Sequence, residues 1–228
     1  MTGDLPVYEA RWARVRPELR GAWDGPAWAQ AAPLPIACFR PESSDHRPVT
    51  AARLLYDDEA LYGIFRVQDR YVRGRFTRFQ DPVWRDSCVE FFVQPAGAGP
   101  YFNFEFACGG AFLARCVTDP RRDAGQLAGF TPLAEEDAVA VRVYHSLPAR
   151  IEPEIVQPVT WYLEFVIPFA LLAKYTPINR PTAGHVWRAN FYKCAEENSH
   201  PHWASWAPVD ELNFHLPRCF GVLRFAVD

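Results

Sequence analysis

Trp84 and Glu90 stand six residues apart in DPVWRDSCVEFFVQP, residues 81–95. The tryptophan follows a proline and a valine, a loop-like context, whereas the glutamate sits between Val89 and Phe91 in an apolar run. Successive side chains of a strand point to opposite faces, so Val89, Phe91 and Val93 share one face and Cys88, Glu90 and Phe92 the other. On this reading Glu90 need not be a buried charge. It is a polar group on a half-apolar face beside Phe92, the usual lining of a ligand site. The plain alternatives are a core tryptophan and a solvated sheet glutamate.

A second grouping is Cys194 with His200 and His202 in CAEENSHPHW, a C-x5-H-x-H spacing that carries little specificity for a metal. The six cysteines show no CxxC pair and no dense framework, so they read as reduced, structural thiols.

The elements that must position these residues read as strands. The chain has 228 residues, 49% hydrophobic and 22% charged, with eight Trp, nine Tyr, seventeen Phe and twenty-one Pro. Such aromatic and proline usage suits many short strands and tight turns. LLYDDEALYGIFRVQ reads as a hairpin around Asp57, Asp58 and Glu59. In YFNFEFA, residues 101–107, Phe102, Phe104 and Phe106 face one way and Tyr101, Asn103 and Glu105 the other. PFALLAKY, residues 168–175, is the one helical stretch, and 120–137 and 195–218 read as loops. The expectation is all-β: an antiparallel, jelly-roll-like β-sandwich over residues 50–228 with one short helix, and an irregular arm over 1–49 docked by Trp23 and Trp28.

A net charge of −3 argues against a nucleic-acid partner, which requires a basic stripe. No run approaches ~18 consecutive apolar residues and the N-terminus lacks an apolar signal core, which argues against a membrane partner. The chain as written reads as cytoplasmic, or as secreted or periplasmic if a signal peptide has been removed.

PVWRDSCVEFFVQP resembles the W-x-x-D-S-V-E-x-F-(I/V) segment of the family 9 carbohydrate-binding modules attached to some bacterial xylanases. LLYDDEALYGIFRVQD, WYLEFVIPFALL and the ending from ANFYKC through SWAPVDELNFHLPRCFGVLRF are similar to other segments of that family, in the same order from about residue 50 to 228. The resemblance implies a non-catalytic β-sandwich that holds the end of a β-glycan, of xylan or cellulose type, between two aromatic rings. It implies Trp84 as one ring, Phe214 as the other where the family usually has Trp, and Glu90 on sugar hydroxyls. Asn103 and Trp206 join the ligand-binding candidates. Glu105 stands where the family uses an Arg, with Arg115 or Arg188 as replacements. Calcium is the cofactor that the resemblance allows, although no oxygen-ligand loop is legible.

A sugar ring has apolar faces and a polar rim, so rings above and below with carboxylate and amide groups at the edge match it. Two other classes compete. A glycoside hydrolase needs a second carboxylate beside Glu90, from Asp86, Glu105 or Asp210. A haem protein of the related cytochrome type needs an axial methionine, and the chain has only Met1.

Overall fold

The computed structural model describes residues 5–95 and 98–226, so Met1 lies outside the described residues. Among them the strands are β1 (Val7–Trp12), β2 (Leu34–Ile36), β3 (Cys38–Phe39), β4 (Val49–Tyr56), β5 (Ala60–Asp69), β6 (Val72–Gly74), β7 (Cys88–Gln94) and β8 (Tyr101–Ala107). They continue as β9 (Phe112–Asp123), β10 (Gln126–Pro132), β11 (Arg142–His145), β12 (Ile151–Ile155), β13 (Val159–Pro168), β14 (Val186–Ala195), β15 (His202–Ser205) and β16 (Gly221–Phe225). Two helices accompany them, the single turn α1 (Glu135–Ala138) and α2 (Phe169–Tyr175). The chain is all-β as expected, with a second short helix that the sequence reading omits. None of these helices is long and apolar enough to cross a membrane.

Hydrogen bonds order one half as β10-β9-β8-β7-β14-β16-β1, and β1 leads on into β4-β5-β13-β11. The expected purely antiparallel arrangement fails at β1. Val7–Ala10 runs parallel to β16, and Arg11 and Trp12 run parallel to β4. Parallel neighbours need long connections, and β1 has them: the arm separates it from β4, and most of the chain separates it from β16. The N-terminal segment is accordingly less irregular than expected, since 7–12, 34–36 and 38–39 are strand. In VYEARW, Tyr8 and Ala10 are buried while their neighbours are exposed, the alternation of a half-covered strand.

The two halves meet through phenylalanine. Phe91 of β7 stacks on Phe165 of β13 at 5.5 Å between ring centres, and Phe106 of β8 stacks on the same ring at 5.2 Å. Phe65 of β5 meets Phe191 of β14 at 6.1 Å. These are the inward residues of the alternating runs, so the face assignment made for 88–94 and 101–107 holds. On the outer face of β5 and β13, Trp23 and Trp28 are buried against Leu55, Tyr62, Ile64 and Val166. There the buried Glu164 carboxylate accepts from the Arg20 and Gly21 amides at 3.0 and 2.7 Å and from Trp28 Nε1 at 3.2 Å. These three donors supply what burial of the carboxylate takes away.

The segments expected to be loops hold strand as well. β9 continues to Asp123, β10 fills 126–132 and β15 fills 202–205. RRDAGQLAGF lacks an apolar alternation because this hairpin projects beyond the core, with most of its residues exposed or half-buried, so the two-residue period has nothing to record.

Phe165 leaves no room opposite it on β5. Its register partner is Gly63, and a Cβ there would overlap the Phe165 ring. The ring is held by Phe91 and Phe106, so it has little freedom to retreat. Gly63→Ala is expected to destabilise the protein by about 1–3 kcal/mol, the range for overpacking a filled core. Denaturant titration checks it, and unchanged stability would mean that the ring layer can yield.

Candidate functional site

The outward residues of β7 and β8 form the floor of a cavity of about 550 Å³. Glu90 and Glu105 are register partners across β7 and β8, so both carboxylates leave the sheet on the same side. Phe92 lies beside them, and the β9–β10 hairpin bends over one side with Arg115, Arg122, Leu127 and Phe130. Trp203 of β15 and the connecting segments carrying Trp84, Glu196 and Phe214 close the other sides.

Local chemistry positions each wall. Trp84 rides on a 3-10 turn, Val83–Arg85, followed by a buried aspartate, Asp86. Asp86 accepts from Arg75 Nε at 2.8 Å and from the Phe76 amide at 3.1 Å, while Arg75 Nη2 reaches Glu197 at 2.9 Å. The Glu196 and Glu197 amides donate to the carbonyls of Trp84 and Arg85 at 3.3 and 2.8 Å. The tryptophan turn is thereby tied to the segment that carries Glu196. Trp84 is half-buried, resting on Val83, Cys88, Leu113 and Cys194. Phe214 stacks on Tyr192 at 4.1 Å and 14°, and Tyr192 Oη donates to the Phe214 carbonyl at 3.0 Å. Arg115 lies over the Phe130 ring at 4.7 Å.

Glu90 is a buried carboxyl after all, 2% exposed, with Glu105 at 4%. The two walls above the sheet exclude water, which the strand pattern alone cannot show. Burial, then Cys194 and Glu105, hold the Glu90 carboxyl well above the usual carboxylate range. Burial pushes Glu105 up to about 7, against the pull of Asn103 and Arg115. Cys194 Sγ donates to Glu90 Oε1 at 3.1 Å, and Asn103 Nδ2 donates to Glu105 Oε1 at 2.6 Å. Glu105 Oε2 has no partner among the described residues. Glu196 is raised by burial too, and accepts from Trp203 Nε1 at 3.3 Å. His215, bonded through Nδ1 to Tyr101 Oη at 2.7 Å, is lowered to about 3 by burial and by Arg122 and Arg115, so it is neutral at pH 7.

The structure brings together Trp84, Glu90, Glu105, Arg115 and Phe214. Asn103 stands behind the wall, fully buried, as the partner of Glu105. Trp206 is a correction. It packs edge-on to Phe191 at 6.0 Å and Tyr8 at 6.5 Å, on the far side from the cavity, because its amide continues the sheet by donating to the Phe191 carbonyl. Arg188 shares the outward face but lies outside the cavity, its Nε donating to the Phe220 carbonyl at 3.0 Å. Asp86 is used in positioning the turn, and Asp210 is an exposed partner of Arg218. Sequence reasoning missed Glu196, Arg122 and Phe130, and took Trp203 only as part of a metal motif. The register Cys194↔Trp203 between β14 and β15 would have put Trp203 on the Glu90 side, had β15 been read as a strand.

The Cys194–His200–His202 grouping does not assemble. His202 projects from the opposite face of the sheet, where its Nε2 meets Lys193 Nζ at 2.7 Å. The ligand atoms that do cluster among the described residues are those of Cys88, Glu90 and Cys194. Two thiols and one carboxyl do not fit calcium, which takes oxygen ligands.

A family model described as carbohydrate-binding family 9 matches residues 28–225. The chain belongs to carbohydrate-binding family 9. The match begins ahead of residue 50, where the sequence resemblance starts, and so takes in β2 and β3. The family 9 chain is similar to a candidate carbohydrate-binding protein from Bacteroides uniformis ATCC 8492, 25% identical with a TM-score of 0.83 over 98% of this chain and 100% of that one. A family 9 module from Caldicellulosiruptor kristjanssonii in complex with cellotriose is 14% identical, with a TM-score of 0.62 over 97% of this chain and 94% of the module. A module of the same family and organism in complex with glucose gives 14% and 0.60, over 95% of each chain. At that identity these two share the fold. No curated protein matches the chain.

The raised Glu105 carboxyl has a consequence for stability. Between the ordinary carboxyl value near 4.5 and about 7, the folded protein keeps a proton that the unfolded chain has released. That contribution to stability is present below 4.5, is lost as pH rises through about 7, and changes no further above it. Glu105→Gln cannot ionise, so it is expected to gain stability relative to the parent between pH 4.5 and about 7. Parallel denaturant titrations across pH check it; a constant difference between the two proteins would mean that Glu105 titrates normally.

Proposed function

We propose that the cavity binds the end of a β-linked oligosaccharide, of cellulose or xylan type, and that the chain acts as a non-catalytic binding module. The observation that carries this reading is the lining: Trp84, Trp203 and Phe214 rim a pocket whose floor bears Glu90 and Glu105. Aromatic faces suit the C–H faces of a pyranose, and carboxyl and guanidinium groups suit its hydroxyls. The volume of about 550 Å³ is within the range of small-molecule sites. The cellotriose and glucose complexes of the Caldicellulosiruptor kristjanssonii modules support the ligand class. In the same reading the two halves are the layers of a sandwich, and the outer face of one layer is the sugar platform. A disaccharide of roughly twenty-three heavy atoms, at about 0.3 kcal/mol per atom, gives a dissociation constant of order 10 μM.

A hydrolase reading draws on the Glu90–Glu105 pair, but the pair is badly placed for it. Hydrolysis needs an ionised carboxylate on one side of the scissile bond and an acid on the other. Here both carboxyls leave neighbouring strands on one wall, and both are raised by burial. Side by side on one wall, they grip hydroxyls rather than flank a bond.

Trp84→Ala is expected to weaken binding of cellobiose or xylobiose at least tenfold, about 1.4 kcal/mol, in calorimetric titration. The melting temperature should fall by only a few degrees, because the indole is half-buried. Unchanged affinity, or unfolding of the variant, would remove Trp84 as a platform. Aryl β-xylosides and β-glucosides are expected to survive incubation with the chain. Turnover abolished by both Glu90→Gln and Glu105→Gln would replace the binding reading with a catalytic one.

A further inference from the structure

Beneath the floor of the cavity, Glu90 meets two thiols that sugar recognition does not use. Cys88 on β7 and Cys194 on β14 are register partners, so their thiols leave the sheet together, on the side of Glu90. One ligand atom from each of Cys88, Cys194 and Glu90 lies within 4.8 Å of the others, and Cys194 Sγ is 3.1 Å from Glu90 Oε1. All three residues are buried, at 0%, 1% and 2% exposure. Cys88 and Cys194 are free thiols among the described residues.

We propose that Cys88, Cys194 and Glu90 form a three-ligand site for one divalent thiophilic cation, zinc foremost, with the fourth position turned to the cavity. The ligand set is the argument. Two thiolates and a carboxylate suit zinc in tetrahedral coordination, and three protein ligands with one position left for water or a ligand is an arrangement zinc adopts. Glu90 lines the cavity while the thiols lie beneath the Trp84 turn, so the open side is the solvent side. The site also accounts for a carboxyl buried against two thiols with so few donors. Without a cation the buried Glu90 carboxyl is left with the Cys194 thiol as its donor, at 3.1 Å. Binding displaces the two thiol protons to solvent, so affinity rises with pH. Lys193, next to Cys194 on β14 with its side chain on the reverse face, favours the thiolates electrostatically.

Cobalt(II) titration of the reduced, full chain tests this, and it needs no sugar, so its result is separate from the binding reading above. One equivalent of cobalt should give thiolate-to-cobalt absorption in the near ultraviolet, with visible bands of tetrahedral intensity, and zinc should abolish both. Cys88→Ser and Cys194→Ser should each lose the thiolate band. Cys38→Ser and Cys219→Ser, which change the two partly exposed cysteines, should keep it. Zinc should also raise the melting temperature of the parent, a readout that holds even if a ligand variant folds poorly. Reduced parent protein that gives no thiolate band and no zinc-dependent melting shift overturns the proposal. So does a band that survives both ligand substitutions, or a thiol count showing that Cys88 and Cys194 form a disulfide in preference to taking metal.

Discussion

The register between β7 and β8 is the constraint on which the rest depends. Phe91 and Phe106 face inward against Phe165, and the two-residue period then forces Glu90 and Glu105 outward as neighbours. A slip of either strand by one residue would drive its carboxyl into the phenylalanine layer and carry its phenylalanines to the cavity. Burying an unpaired charge in that layer costs far more than any one side chain's packing could offset, so the alternative register is excluded. Core packing and site geometry are one specification read from two sides of the same strands.

The outer face carries its own constraint. Glu90 and Glu105 sit where water is scarce and Glu196 stands at the exposed rim, with desolvation raising all three. The protein meets the cost only in part, through Asn103, Cys194 and Trp203, and leaves Glu105 Oε2 unpartnered among the described residues. Incomplete satisfaction of buried acceptors is tolerable where a ligand supplies donors, and hydroxyl groups are such donors. Rigidity comes from elsewhere. Asp86, Arg75 and Glu197 tie the Trp84 turn to the loop after β14, so an aromatic on a connecting segment is held nearly as firmly as one on a strand.

A different polar network works on the reverse face of β14. Lys193 is fully buried there, with its ammonium 2.7 Å from His202 Nε2 and 3.5 Å from Asp69 Oδ2, and Asp69 also meets His46 Nε2 at 2.7 Å. Burial and the adjacent ammonium hold His202 down at about 3, so it accepts as a neutral ring. Lys193 and Asp69 balance each other where neither would be stable alone. The network joins β5 to β14 and β15 across the core, and so steadies the strand that carries Cys194 and Tyr192 beneath Trp84 and Phe214.

Periodicity by itself determined the all-β class, the β4–β5 hairpin, and which residues of 88–94 and 101–107 face the core, because a two-residue alternation follows from strand geometry. The Trp84–Glu90 spacing and the ordered motifs were enough to point to the family. Tertiary structure alone decided the rest. That β1 runs parallel to its neighbours depends on where two distant segments meet, which no local pattern encodes. That Glu90 is buried depends on walls contributed by the β9–β10 hairpin and the loops around 196–215, whose sequences carry no period. Trp206 shares a residue type with Trp203 and stands three positions away, yet one faces the core and the other the cavity. The meeting of Cys88, Glu90 and Cys194 required the pairing of β7 with β14, strands about a hundred residues apart, which only the folded chain brings into register.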